Sequence, residues 1–165
     1  MHIPASESRA QQLIAQLGLQ PHPEGGYFRE LFRSALPVQP LDSRPLRAAL
    51  TTIYFLLPRG AHSRWHRVQS DEVWHLYEGD PLRLLIADPA LSSVQVLTLG
   101  AVTAEQGPTH TVPAGWWQAA LPLGSYALCG CTVAPGFDFA DFALVATESD
   151  RTKIRALGDQ YARFL

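Results

Sequence analysis

From Tyr27 to Val145 the chain is a succession of short runs in which β-branched and aromatic residues alternate with polar ones. Alternation with a period of two marks strands that bury one face. The pattern predicts strands over Tyr27–Arg33, Ala48–Leu57, Ser63–Val68, Glu72–Glu78, Leu82–Asp88, Val94–Leu99, His110–Val112, Trp116–Ala120, Tyr126–Val133 and Asp141–Val145. Turn signals separate them, among them Gly79-Asp80-Pro81, Asp88-Pro89 and Pro113-Ala114-Gly115. Near the start, Leu13, Ile14 and Leu17 recur at helical spacing and predict a helix from Ser6 to Leu17, with Ser6 as N-cap and Gly18 as the stop. A short terminal helix is expected over Glu148–Ala156. Many short strands at regular spacing close into a sandwich or a barrel, as jelly rolls do. An all-β single domain is therefore expected, with its core over residues 19–145.

Composition narrows the classes of partner. A chain of 165 residues is one domain and long enough to bury a core. Its formal charge of −2 comes without any stripe of Lys and Arg, so no nucleic-acid partner is expected. The most apolar run, Ala48 to Pro58, holds two threonines and is far shorter than the ~20 residues of a membrane span. The first residues, Met-His-Ile-Pro-Ala-Ser-Glu-Ser-Arg, show neither a basic n-region nor an apolar h-region, and a cytoplasmic location is expected. Cys129 and Cys131 sit i, i+2 on one predicted strand and read as two small buried thiols on one face.

The candidate chemistry lies in two spaced motifs. Five residues separate Gly60 from His66, six separate Glu72 from Gly79, and Gly107 stands five residues ahead of Pro113-Ala114-Gly115. This spacing resembles the two-part signature of the cupin superfamily, a jelly-roll β-barrel whose motifs carry metal-binding or catalytic side chains. The resemblance implies that His66, Glu72 and Gln118 face the barrel interior, with Trp74 and Trp116 as neighbouring walls. Val68 and Gln118 stand where that family usually places two further histidines. Strict alternation puts His62, Arg64, His66 and Val68 on one face and Trp65 and Arg67 on the other. His62 is ~13 Å along the strand from His66, too far to share an ion with it unless the strand bends. His75 faces away from Glu72.

What remains is one imidazole, one carboxylate and one primary amide. An amide oxygen is a weak donor for first-row metals, so no cofactor is expected, and a divalent metal on His66, Glu72 and Gln118 is the second reading. The first reading is proton transfer, with His66 as general base and Glu72 orienting it.

A second segment, His22-Pro23-Glu24-Gly25-Gly26-Tyr27-Phe28-Arg29-Glu30, places paired glycines just before a strand. Gly26, Tyr27, Phe28 and Glu30 resemble the N-terminal strand of the metal-free epimerases that make deoxy-sugars such as dTDP-rhamnose. That resemblance implies that Tyr27, Phe28 and Glu30 help to form a ligand site and a homodimer, and that His66 is the base. The acid partner is not aligned; Tyr54 and Tyr126 are both available. The same run, with Ser70-Asp71-Glu72-Val73-Trp74-His75 and the segment Ala134 to Phe142, is most similar to a group of bacterial and fungal cupins without an assigned reaction. Arg64 is a candidate for an anionic substrate group. Trp116 and Trp117 point to opposite faces, one inward and one outward. Asp138 and Asp141 are expected at surface or turn positions. The expected ligand is a small polar molecule, a sugar or sugar nucleotide. The remaining alternative is a binding module without turnover.

Overall fold

The structure, a computed structural model, describes residues 8–165. It opens with helix α1 (Arg9–Leu17) and strands β1 (Gln20–Pro21), β2 (Tyr27–Arg33), β3 (Pro37–Val38), β4 (Arg47–Ala48), β5 (Thr51–Pro58), β6 (Ser63–Val68) and β7 (Asp71–Gly79). Strands β8 (Leu82–Ala87), β9 (Val94–Leu99), β10 (Thr109–Val112), β11 (Trp117–Pro122) and β12 (Tyr126–Ala134) follow. A 3-10 turn (Phe139–Asp141), strand β13 (Phe142–Leu144) and helices α2 (Glu148–Leu157) and α3 (Asp159–Ala162) complete the chain.

Two antiparallel sheets form the barrel, one in the order β1-β2-β5-β12-β7-β10 and the other β13-β6-β11-β8-β9. Between them lie Phe55, Leu57, Trp74, Leu84, Ile86, Cys129 and Cys131, the inward members of their strands. Both thiols are buried and free, as expected. The smaller sheet is also covered on its outside, where Trp65, Leu85, Trp117 and Ala119 pack against Ile154 and Phe164 of the C-terminal segment. Covered on both faces, β8 reads as an almost continuous apolar run. Helix α1 lays Ala10 and Leu13 on Leu56 and Leu128 outside the larger sheet.

Several boundaries differ from those expected. The Ser6 cap lies outside the described residues; α1 is capped by Ser8, which forms a reciprocal capping box with Gln11. Gly18 ends the helix in the left-handed region at φ 61°, as the pattern requires. The single strand expected over Ala48–Leu57 is two, because Arg47–Ala48 turns aside to pair with Pro37–Val38. The terminal helix forms over Glu148–Leu157, and a further turn of helix follows.

Two bulges matter most. In β6, His66 lies opposite Gln118 but Ser63 lies opposite Ala120, so β6 carries one extra residue. In β2, Glu30 pairs with Ile53, Phe32 with Thr52 and Arg33 with Thr51, again one residue too many. Each bulge shifts the alternation and puts an i, i+3 pair on the barrel's inner face: Ser63 with His66, and Glu30 with Arg33.

Candidate functional site

The glycine pair makes the base of the site. Gly25 and Gly26 adopt φ values of 114° and 69°, in the region that favours glycine. A side chain on Gly25 would collide with the His62 carbonyl oxygen, and one on Gly26 would lie 2.8 Å from the Leu56 carbonyl oxygen. The turn is thereby pressed onto β6, and the Arg64 N–H donates to the Glu24 carbonyl at 2.8 Å. Glu24 is left pointing into the barrel, 6% exposed.

There it meets three side chains. The Ser63 hydroxyl donates to Glu24 Oε1 at 2.8 Å. Glu24 Oε2 lies 3.2 Å from His66 Nε2 and 3.3 Å from His22 Nδ1. The other nitrogen of His66, Nδ1, is 2.7 Å from the Arg64 carbonyl oxygen. A carbonyl only accepts, so Nδ1 carries the hydrogen and Nε2 presents a lone pair to Glu24. His22 Nδ1 accepts from the Glu24 N–H at 3.3 Å, which engages its one lone pair. A proton must sit between Glu24 Oε2 and His66 Nε2, or their lone pairs would face one another.

Burial decides where it sits. Desolvation raises Glu24 to about 8, against the smaller opposing pull of its Ser63 hydrogen bond and of Arg64. His22 is lowered to about 4 by burial and then by the neighbouring His66. Burial also lowers His66, opposed by the field of Glu72 and by the bond to Arg64. The contacts have ion-pair distances, yet both kinds of partner are driven to their neutral forms. The contact with His66 is one hydrogen bond from a carboxylic acid to a neutral imidazole, and His22 lies beside it as a neutral ring.

Glu72, on β7, is held from behind. Gln118 Nε2 donates to Glu72 Oε2 at 2.5 Å, and Gln118 Oε1 accepts from the Trp74 indole N–H at 2.8 Å. Burial raises Glu72, opposed first by His66. Glu72 makes no direct hydrogen bond or ion pair with His66 among the described residues; Glu24 and the Arg64 carbonyl orient that ring.

These groups end a cavity of about 250 Å³ whose walls include Phe28, Phe55, Phe137, Phe139 and Phe142. Nearer the opening, Arg33 donates through Nε and Nη2 to both oxygens of Glu30, at 3.0 and 2.8 Å, and through Nη1 to the Phe137 carbonyl at 3.0 Å. Asp138 also lines the cavity and caps the 3-10 turn by accepting from the Ala140 N–H. That turn is anchored by Asp141, which is buried and takes both oxygens to Arg47, at 2.8 and 2.7 Å. Asp141 is thus no surface residue: the chain from Ser34 to Leu50 folds over it and supplies Arg44 and Arg47.

Of the residues singled out in the sequence, His66, Glu72, Phe28 and Glu30 line the cavity together. Gln118 and Trp74 stand directly behind Glu72. Tyr27 takes the opposite face of β2 and packs with the α1 cluster. Arg64 is exposed because the β6 bulge turns it outward, where it donates to the Pro23 carbonyl. Trp116 packs against the interior cluster without lining the cavity, and Trp117 points outward beneath Arg67. Sequence reasoning did not include Glu24, His22, Arg33, Asp138 or the phenylalanines after Pro135 in the site. The His-Pro-Glu-Gly-Gly run was the available signal for the first two.

A metal held by His66, Glu72 and Gln118 does not fit these contacts. The indole N–H fixes the amide of Gln118 so that its oxygen faces Trp74 and its NH₂ faces Glu72. Among the described residues no group of three or more His, Cys, Asp or Glu is arranged to hold a metal ion.

Comparison with known proteins places the chain in a family. A hypothetical protein from Leishmania major is 32% identical over 94% of this chain and 95% of its own, with a TM-score of 0.80. A protein from Shewanella oneidensis is 30% identical over 95% and 94%, with a TM-score of 0.78. A cupin 2 conserved barrel domain protein from Rhodopseudomonas palustris shares the fold at 17% identity, covering 88% and 84%, with a TM-score of 0.56. No curated protein matches the chain. The family model described as cupin superfamily (DUF985) matches residues 11–145, and the chain belongs to that family.

Proposed function

We propose that this cupin holds a small polar ligand in its barrel and moves a proton on it, as in epimerisation or isomerisation beside a carbonyl. One observation carries the reading: the lone pair of His66 Nε2 faces the acid form of Glu24 across 3.2 Å at the closed end of an apolar cavity. In this reading the shared proton leaves the Glu24–His66 pair to solvent when the ligand enters, His66 then takes a proton from the ligand carbon, and the pair returns it on the same side. A carboxyl raised to about 8 exchanges its proton readily near neutrality, where general acid–base catalysis is most effective. Ser63 and the Arg64 carbonyl hold the two groups in register, and Glu72 tunes His66 through its field. The resemblance to sugar epimerases supports the reaction class and implies that two copies of the chain associate.

The test is solvent exchange. Aldoses, ketoses and their amino derivatives are incubated with the protein in deuterated water, and loss of carbon-bound hydrogen is followed by proton NMR. The reading requires exchange at one carbon, lost in His66→Ala while the fold is retained. Ligand binding without exchange at any pH near neutrality assigns the barrel to a binding module instead.

A further inference from the structure

Taking the cavity as the ligand site, as above, its charge inventory specifies the ligand further. Four carboxyl side chains line it, those of Glu24, Glu30, Glu72 and Asp138, against a single guanidinium, that of Arg33. Arg33 is already engaged by both oxygens of Glu30 and by a carbonyl. A phosphate or carboxylate entering the cavity therefore meets no uncommitted cation among the described residues. Glu24 and Glu72, at the closed end, have only neutral donors and imidazoles in contact. Five phenylalanine rings are among the walls, and the face of such a ring attracts positive charge.

We infer that the ligand is a small organic cation, an amine whose charged nitrogen lies toward Glu24 and Glu72 and whose carbon skeleton lies against the phenylalanine walls. Without ligand, Glu24 keeps its proton because no cation compensates the buried carboxylate. An ammonium group supplies that compensation, so its arrival expels the shared proton of Glu24. The groups facing that proton are His22, His66 and Ser63, with Glu72 and Arg64 acting through their fields. Cation binding and proton release are thus one event. A nucleoside diphosphate has no place in this inventory, which separates the chain from epimerases that act on sugar nucleotides.

The experiment compares ligands of one skeleton and three charges by isothermal titration calorimetry at pH 7. Glucosamine, glucose and glucuronate form one series, and butylammonium, butan-1-ol and butanoate the other. In at least one series the amine is expected to bind about tenfold tighter than its neutral counterpart, and the anion to bind weakest. Repeating the titration in buffers of different ionisation enthalpy is expected to show proton release with the amine. Glu24→Gln abolishes that release, and Glu30→Gln frees Arg33 and raises the affinity of the anion. Neutral or anionic members binding as tightly as the amine overturn the inference, as does failure of every member to bind or stoichiometric capture of a divalent metal in place of the amine. The charge preference is independent of turnover, so it stands or falls separately from carbon-hydrogen exchange.

Discussion

Glu24 keeps its proton at neutral pH because the Gly25-Gly26 turn forces a carboxyl into an apolar cavity beside two imidazoles rather than beside a free cation. The effect on stability has a definite sign. The folded value of about 8 lies above the ordinary 4.5, so this contribution is complete below about pH 4.5 and is lost as the pH rises to about 8. His22 acts in the opposite sense: lowered to about 4, it favours the fold above 6.5 and opposes it as the pH falls through 4. Above pH 6.5 Glu24 dominates this pair. Urea unfolding is expected to show the protein losing about 1–2 kcal/mol between pH 6.5 and 8 through Glu24. Glu24→Gln mimics the acid form, since its oxygen still accepts from Ser63 and its NH₂ still donates to His66. Its curve is expected to be flatter by at least that amount; Glu72, also raised, contributes to both curves, and less in the variant because the charge of Glu24 adds to its shift. Identical slopes would contradict the assignment.

At the scale of elements, the site depends on irregularities in otherwise regular strands. Most strands were legible as period-two patterns, and the ends of β2, β6 and β9 agree to the residue. The bulges were not legible, because a one-residue excess leaves the local pattern of β-formers unchanged while reversing which side chains face inward. Arg64 was therefore placed inside and Ser63 overlooked, although His66 and Glu72 were found from motif spacing. Glu24 was passed over for a related reason: it sits in a turn, where alternation says nothing, and only its glycines indicated a constrained backbone. The turn itself can be tested. Gly25→Ala is expected to destabilise by about 1–3 kcal/mol, from a left-handed φ and the collision with the His62 carbonyl. The same change should lift Glu24 off His66, so the difference between the wild-type and Glu24→Gln pH profiles should vanish in this background.

At the scale of the whole molecule, the barrel separates packing from chemistry. The outer face of the smaller sheet is sealed by the C-terminal segment, where Phe164 packs against Trp65 and its carbonyl accepts the Trp65 N–H at 2.9 Å. Phe164→Ala is expected to cost about 3–5 kcal/mol in urea unfolding, as for other buried aromatics. It should leave the cavity's ligand preference unchanged, because Phe164 lies on the far side of β6. The inner face carries the acid–base group, reached through an aromatic-walled cavity and backed by the chain Glu72, Gln118 and Trp74. One proton is shared between Glu24 and His66, beside His22, at the closed end of that cavity. Carbon-13 NMR titration of protein labelled at the glutamate side-chain carboxyls tests it most directly. One resonance is expected with a midpoint at about 8, that of Glu24, and it is absent from Glu24→Gln. A spectrum in which every glutamate carboxyl titrates at or below its ordinary value would contradict it.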